Sequence, residues 1–237
     1  MASDVARRSA ALDWRAIEES LEERGYARTE RVLTPAECDS LAALYRDESR
    51  FRSRVDMARH RFGLGEYKYF ARPLPPLVAE LRASAFPHLA AIANRWAERL
   101  GQDARYPASL KSFVELCARH GQSKPTPLLL FYQAGGFNCM HQDLYGEIAF
   151  PLQITSVLSR RDVDYTGGEF LLLEQRPRAQ SRGEAIAAEQ GELLIFPTRH
   201  RPVVGARGPY RVAVRHGVSR VRSGTRMSLG IIFHDAR

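Results

Sequence analysis

The tripeptide His141-Gln142-Asp143 sets an imidazole and a carboxylate two positions apart. On an extended strand, residues i and i+2 point to the same face, so both side chains can reach one metal ion. A histidine from a distant strand would complete a set of two nitrogens and one oxygen on one face of an octahedron. Such a set leaves three positions open, which suits an iron(II) centre holding an oxoacid through two atoms and dioxygen through a third. No set of four His and Cys at tetrahedral spacing suggests zinc instead, and Cys38, Cys117 and Cys139 form no C-x-x-C pair. With seven His and ten Asp in 237 residues, an H-x-D arises by chance ~0.3 times per chain. The motif therefore needs support from its surroundings.

Tyr132 lies nine residues before His141, at the end of the apolar run PLLLFY, with Gly135 and Gly136 between them. Downstream come D-Y-T-G-G-E-F (164–170), G-E-L-L-I-F-P (191–197) and H-G-V-S-R-V-R-S-G-T-R (216–226). His216 and His200 are rival candidates for the distal ligand. His60, His88, His120 and His234 read as surface or internally satisfied histidines. Glu169 and Gln153 fall in strand-like runs where alternate residues face inward, which places both near a possible site wall.

The elements that must position these residues change character near residue 125. After Pro125, short apolar runs spaced by Gly and Pro predict strands: PLLLFYQ, EIAFPLQITSVL, GEFLLLE, GELLIFP, YRVAVRHGV and RMSLGIIFH. Before it the periodicity is helical. Trp14, Ile17 and Leu21 share one face, and T-P-A-E at Thr34 to Glu37 predicts an N-cap, a first-turn proline and a capping-box glutamate. A third helical region is expected over Pro76 to Leu100, interrupted near Pro87, and a shorter one over Ala108 to Cys117. Residues 59–70, RHRFGLGEYKYF, predict a loop or an edge strand.

A hydrophobic fraction of 44% in 237 residues supports a real core. No run approaches the roughly 18 apolar residues of a membrane span. The opening MASDVARRSAALDW lacks the apolar stretch of a secretory signal, so a cytoplasmic location is expected, with reduced thiols. The net charge of +8 comes from 35 basic residues against 27 acidic. Eight arginines (199, 201, 207, 211, 215, 220, 222, 226) fall between Leu193 and His234 with no Asp or Glu among them. Such a run suits a polyanion, although Arg, Ala and Gly richness also follows from a GC-rich genome.

The order of H-x-D, G-G-E, G-x-x-x-x-F, distal His and later basic residue resembles the prolyl-hydroxylase-like iron(II) and 2-oxoglutarate dioxygenases over roughly residues 125–235. The phrases G-E-Y-K-Y-F, H-Q-D-L-Y-G, G-G-E-F-L-L-L-E-Q-R-P-R and L-G-I-I-F-H-D-A are similar, along nearly the whole chain, to a bacterial oxygenase family described as acting oxidatively on alkylated DNA. The resemblance implies an α+β chain. Its core would be a double-stranded β-helix of jelly-roll or cupin type, with a helical N-terminal part packed on one face. Residues 1–237 would form one domain, 1–124 mostly helical and 125–237 the catalytic core.

By the same resemblance His141, Asp143 and His216 hold Fe(II). His216 is preferred to His200 because Arg226 follows it at the interval usual in the class. Arg226 would pair with the remote carboxylate of 2-oxoglutarate, and Tyr132 would add a hydroxyl there or line the pocket. Dioxygen is the further co-substrate, and 2-oxoglutarate would leave as succinate. The expected partner is alkylated or single-stranded nucleic acid, held by an arginine rim from Arg199 to Arg222, with Tyr145 or Phe137 stacking on a flipped base. The alternatives are a hydroxylase of a protein side chain or small metabolite, and a non-catalytic jelly-roll binding module.

Overall fold

The computed structural model describes residues 4–237. In its first half, helices α1 (Asp4–Ala10), α2 (Trp14–Arg24), α3 (Pro35–Ala43), α4 (Pro76–Arg99) and α5 (Leu110–Arg119) alternate with strands β1 (Ala27–Arg31), β2 (Phe51–Asp56), β3 (Gly63–Leu64) and β4 (Glu66–Phe70). Then come β5 (Leu128–Gln133), β6 (Phe137–His141), β7 (Leu152–Val157), β8 (Tyr165–Gly167) and β9 (Phe170–Gln175). The chain closes with β10 (Arg182–Ile186), β11 (Glu192–Pro197), β12 (His200–Gly205), β13 (Gly208–Val218) and β14 (Val221–Ile231). None of the described helices is long and apolar enough to cross a membrane.

Two sheets of antiparallel strands make the double-stranded β-helix. One runs β1-β11-β7-β14-β5-β4-β2 with β8 beside β14; the other runs β10-β9-β13-β6-β3 with β12 beside β13. Four strands thus come from the part expected to be mostly helical, and β1, β2 and β4 share a sheet with strands from beyond residue 125. β1 and β2 were hard to foresee because they are sheet edges, and both carry charge in place of a clean apolar alternation. The stretch expected as a loop or edge strand contains β3 and β4, and β4 is an interior strand between β5 and β2.

The helices cover one face of the first sheet. Leu229, Ile231 and Phe233 alternate outward from β14 and its continuation into a cluster with Leu152, Ile154, Leu193 and Ile195, against Leu81, Phe86, Leu89 and Ile92 of α4. The intervening Arg226, Ser228, Gly230 and Ile232 face the space between the sheets. Pro87 does not interrupt α4. Its lost hydrogen bond and ring clash cost about 3 kcal/mol, but eleven residues of this helix are buried, and Phe86 stacks among Phe113, Phe150 and Phe233. At Thr34 the capping box forms as its sequence predicts.

Candidate active site

His141 ends β6, and its pairing with β13 sets it directly opposite His216. Their rings stand 4.2 Å apart. Asp143 lies beyond the strand, in the loop that follows β6, so strand alternation does not bring the two together as expected. The loop turns its carboxylate back to 3.2 Å from His216 Nε2 and 3.7 Å from His141 Nε2. The three ligand atoms lie within 4.8 Å of one another. Donors ~2.1 Å from one ion at adjacent octahedral corners are about 3.0 Å apart, so this donor set fits iron(II) with little movement.

The supporting contacts hold each donor in the required form. His141 Nδ1 lies 2.7 Å from the Cys139 carbonyl, which can only accept. Nδ1 therefore carries the proton, and the Nε2 lone pair faces the cluster. Burial, then the neighbouring His141, lowers the His216 pKa, the direction that favours a neutral ring able to bind a metal. Burial alone would raise the Asp143 carboxyl. Hydrogen bonds with His216 and from the Tyr145 hydroxyl, with the electrostatic pull of the two neighbouring histidines, outweigh it and hold the group well below the usual carboxylate range. Tyr145 donates to Asp143 Oδ1 at 2.7 Å, and the Tyr69 and Tyr145 hydroxyls are 3.0 Å apart. Phe196 and Phe170 pack on His216 at 4.7 and 5.7 Å between centroids.

These ligands open on a cavity of about 440 Å³ between the sheets. Arg226 lines it from β14 and is buried. Its Nη1 donates to Ser228 Oγ at 3.1 Å, while its Nε has no partner. Beside it the Tyr132 hydroxyl is buried without a hydrogen bond, and the guanidinium lies 5.8 and 5.9 Å from the ring centres of Tyr132 and Tyr165. Buried donors left unpaired are costly, and two of them beside a cation fit the remote carboxylate of an oxoacid. The G-G-E motif serves this corner. Gly168 has φ +63°, and a Cβ there would stand 2.8 Å from Arg226 Cδ.

Other expected residues lie elsewhere. His200 pairs with Ala213 on β13, an odd number of residues from His216, so it faces away from the cluster. Phe137 does not line the cavity; it sits at the far end of β6 with Arg220 5.8 Å from its ring. Tyr145 does line it, but its hydroxyl is bound to Asp143 and Tyr69, which suits it to holding the carboxylate more than to stacking. Glu169 bonds Ser219 and stays outside the cavity lining, whereas Gln153 lines it.

The arginine run divides, because strand alternation sends neighbouring residues to opposite faces. Arg201 is buried in an ion pair with Glu174 and bonds the Glu22 carbonyl at 2.8 Å, and Arg226 is internal. Arg199, Arg207, Arg211, Arg215, Arg220 and Arg222 are exposed, with no ion pair among the described residues. Arg61 and Phe62, absent from the expected site, line the cavity mouth from the β2–β4 connection, and Phe62 is 47% exposed. The Phe62 carbonyl accepts from Cys139 N at 2.7 Å, which ties this connection to the strand bearing His141. Only their Gly-rich, aromatic setting hinted at a role. Nothing in the sequence pairs Tyr69 with Tyr145, 76 residues away.

Residues 65–236 match the family Oxygenase-NA, described as an oxygenase catalysing oxidative methylation of damaged DNA. The chain belongs to this oxygenase family. It is therefore an oxidoreductase. A Mycobacterium tuberculosis protein named as uncharacterised is 48% identical over 167 residues, covering 70% of this chain and 72% of that one. A Pseudomonas putida prolyl-4-hydroxylase shares the fold at 16% identity with a TM-score of 0.53, covering 94% of this chain and 99% of its own. So does a Burkholderia pseudomallei oxidoreductase of the 2-oxoglutarate-iron(II) oxygenase family, at 16% identity and 0.56, covering 94% and 92%. Within this fold the Oxygenase-NA chain carries donors that fit iron(II) and an arginine corner that fits 2-oxoglutarate.

Proposed function

We propose that the chain is an iron(II)- and 2-oxoglutarate-dependent dioxygenase that removes alkyl groups from nucleobases in damaged DNA. The observation that carries this reading is the convergence of His141, Asp143 and His216 on a cavity that also contains the buried, half-unpaired Arg226. With iron(II), 2-oxoglutarate and dioxygen bound, such a site yields succinate and carbon dioxide and places one oxygen atom on a substrate C–H bond. On an N-methyl group the product is an N-hydroxymethyl, which collapses to formaldehyde and a free N–H. The family's description speaks of methylation, but this chemistry runs toward methyl removal.

The residues divide the work. His141, Asp143 and His216 hold the iron, and Tyr145 steadies the Asp143 oxygen that faces away from His216. Arg226, Ser228 and Tyr132 hold the far carboxylate of the oxoacid. Phe170 and Phe196 keep water from the His216 side of the centre. At the mouth, the exposed Phe62 offers a stacking face and Arg61 a cation. The Arg199 carbonyl accepts from Gln142 at 3.2 Å, which ties a further exposed cation to the cavity lining. A base that must leave its stack to reach the iron needs such a ring and such cations for its phosphates. The same reading places the enzyme in the cytoplasm, where its three unpaired cysteines stay reduced, and takes residues 4–237 as one catalytic unit.

The test uses a short single strand carrying an N-methylated base. Formaldehyde should appear only with iron(II) and 2-oxoglutarate both present, and binding should weaken steeply with salt. Succinate formation without formaldehyde or salt-sensitive binding would reject nucleic acid as the substrate and leave the dioxygenase chemistry intact.

A further inference from the structure

Gln153 projects from β7 into the cavity and is only 3% exposed. Its carboxamide makes no hydrogen bond to the protein, and its Nε2 is wholly buried. The polar side chains nearby on the same wall are occupied: Thr155 Oγ1 donates to the Leu229 carbonyl at 3.0 Å, and Ser228 accepts from Arg226. A buried amide left unpaired destabilises the fold, and a leucine at this place would avoid that cost. The group is thus aimed at something that enters the cavity.

Its position separates it from the oxoacid corner. β7 pairs with β14 through Ile154 and Ile231, so Gln153 is level with Ile232, six residues beyond Arg226. Six residues span roughly 20 Å of strand. On its other side Gln153 is directly opposite Phe196, whose ring packs on His216 at 4.7 Å. The carboxamide is therefore one ring away from the metal ligands, among Leu128, Ile232 and Phe196, where the reacting part of a substrate must lie.

A carboxamide presents one donor and one acceptor side by side and can turn end for end. On the edge that faces the major groove in a duplex, adenine is the base that glutamine pairs with through two bonds, at N6–H and N7, whereas guanine offers two acceptors there. We propose that Gln153 reads the N6/N7 edge of an alkylated adenine drawn into the cavity. This rests on the reading of the site as a nucleobase dealkylase. A methyl group on N1 leaves the N6/N7 edge intact, so methyl group and base identity are read at separate points.

The test is a cycle of two changes on a short single strand with a central 1-methyladenine, bound without oxygen to protein loaded with iron(II) and 2-oxoglutarate. Replacing that base by its 7-deaza analogue removes the N7 acceptor, and Gln153→Leu removes the protein's side of the pair. Each change should weaken binding about tenfold, and the two together should weaken it little further, because both remove the same interaction. Additive losses, or a loss below about twofold for the deaza base with the wild-type protein, overturn the assignment. The comparison of the two bases on the wild-type protein decides this even if the variant fails to fold. If the wild type still releases formaldehyde from methylated strands in that case, only the role of Gln153 falls. If it turns over 2-oxoglutarate but neither binds nor demethylates any such strand, and instead oxidises a peptide, the nucleobase reading falls and this inference with it.

Discussion

Arg226→Lys separates charge from geometry at the co-substrate corner. The guanidinium is fixed on three sides: Ser228 takes Nη1 at 3.1 Å, a Cβ on Gly168 would stand 2.8 Å from its Cδ, and the Tyr132 and Tyr165 rings flank it. Its unpaired Nε edge is left to meet a carboxylate through two parallel bonds. Lysine keeps the charge but offers a single point, so one of two charge-assisted bonds is lost, a loss of about 1.5–3 kcal/mol. At 1.4 kcal/mol per tenfold, the dissociation constant for 2-oxoglutarate should rise about 10- to 150-fold. Arg226→Met, which loses both bonds and the charge, should raise it further. Anaerobic titration of the iron-loaded protein, followed by the weak visible charge-transfer band, measures the constant directly. Iron content should stay at one per chain in both variants, because Arg226 is not among the three ligands. An unchanged requirement for 2-oxoglutarate in a folded, iron-loaded Arg226→Lys protein would refute the assignment of this corner.

His141→Ala, Asp143→Ala and His216→Ala should each lose iron and the slow succinate formation that occurs without substrate, while His200→Ala keeps both. Metal analysis beside a succinate assay decides this, and iron retained by folded His216→Ala would overturn the ligand set. Tyr145→Phe removes the 2.7 Å bond to Asp143 Oδ1 and should weaken iron binding about 10-fold, at the low end for lost supporting contacts. Competition with a chelator reads the change, and an unaltered iron affinity would assign Tyr145 to packing alone. Burial, with Arg199 and Arg211 nearby, lowers the His200 pKa from 6.5 to about 4. As pH falls from 6.5 toward 4, the unfolded chain gains a proton that the folded chain does not, so stability declines in that window and is untouched above it. Melting temperature should fall less steeply between those pH values in His200→Asn, and parallel curves would show that the ring is free to titrate.

Local rules carried a large part of this protein. The Thr34 capping box and the strands after Pro125 follow from propensity and period, which act over a few residues. The H-x-D and the downstream order of glycines, histidine and arginine were legible through their resemblance to the iron(II) and 2-oxoglutarate dioxygenases. What lay beyond reach depended on pairing between distant segments. The resemblance preferred His216 to His200, but only the β6–β13 and β12–β13 registers set His216 opposite His141 and turn His200 to the other face, since a shift of one residue reverses which face a side chain occupies. Strand alternation alone misplaced Asp143, whose carboxylate returns to the histidines from a loop that Tyr145 anchors. The arginine run looked uniform in sequence. Tertiary packing buries Arg201 against Glu174, sends Arg226 into the cavity and leaves six others in solvent, because burying a guanidinium requires a partner that only the folded chain can supply.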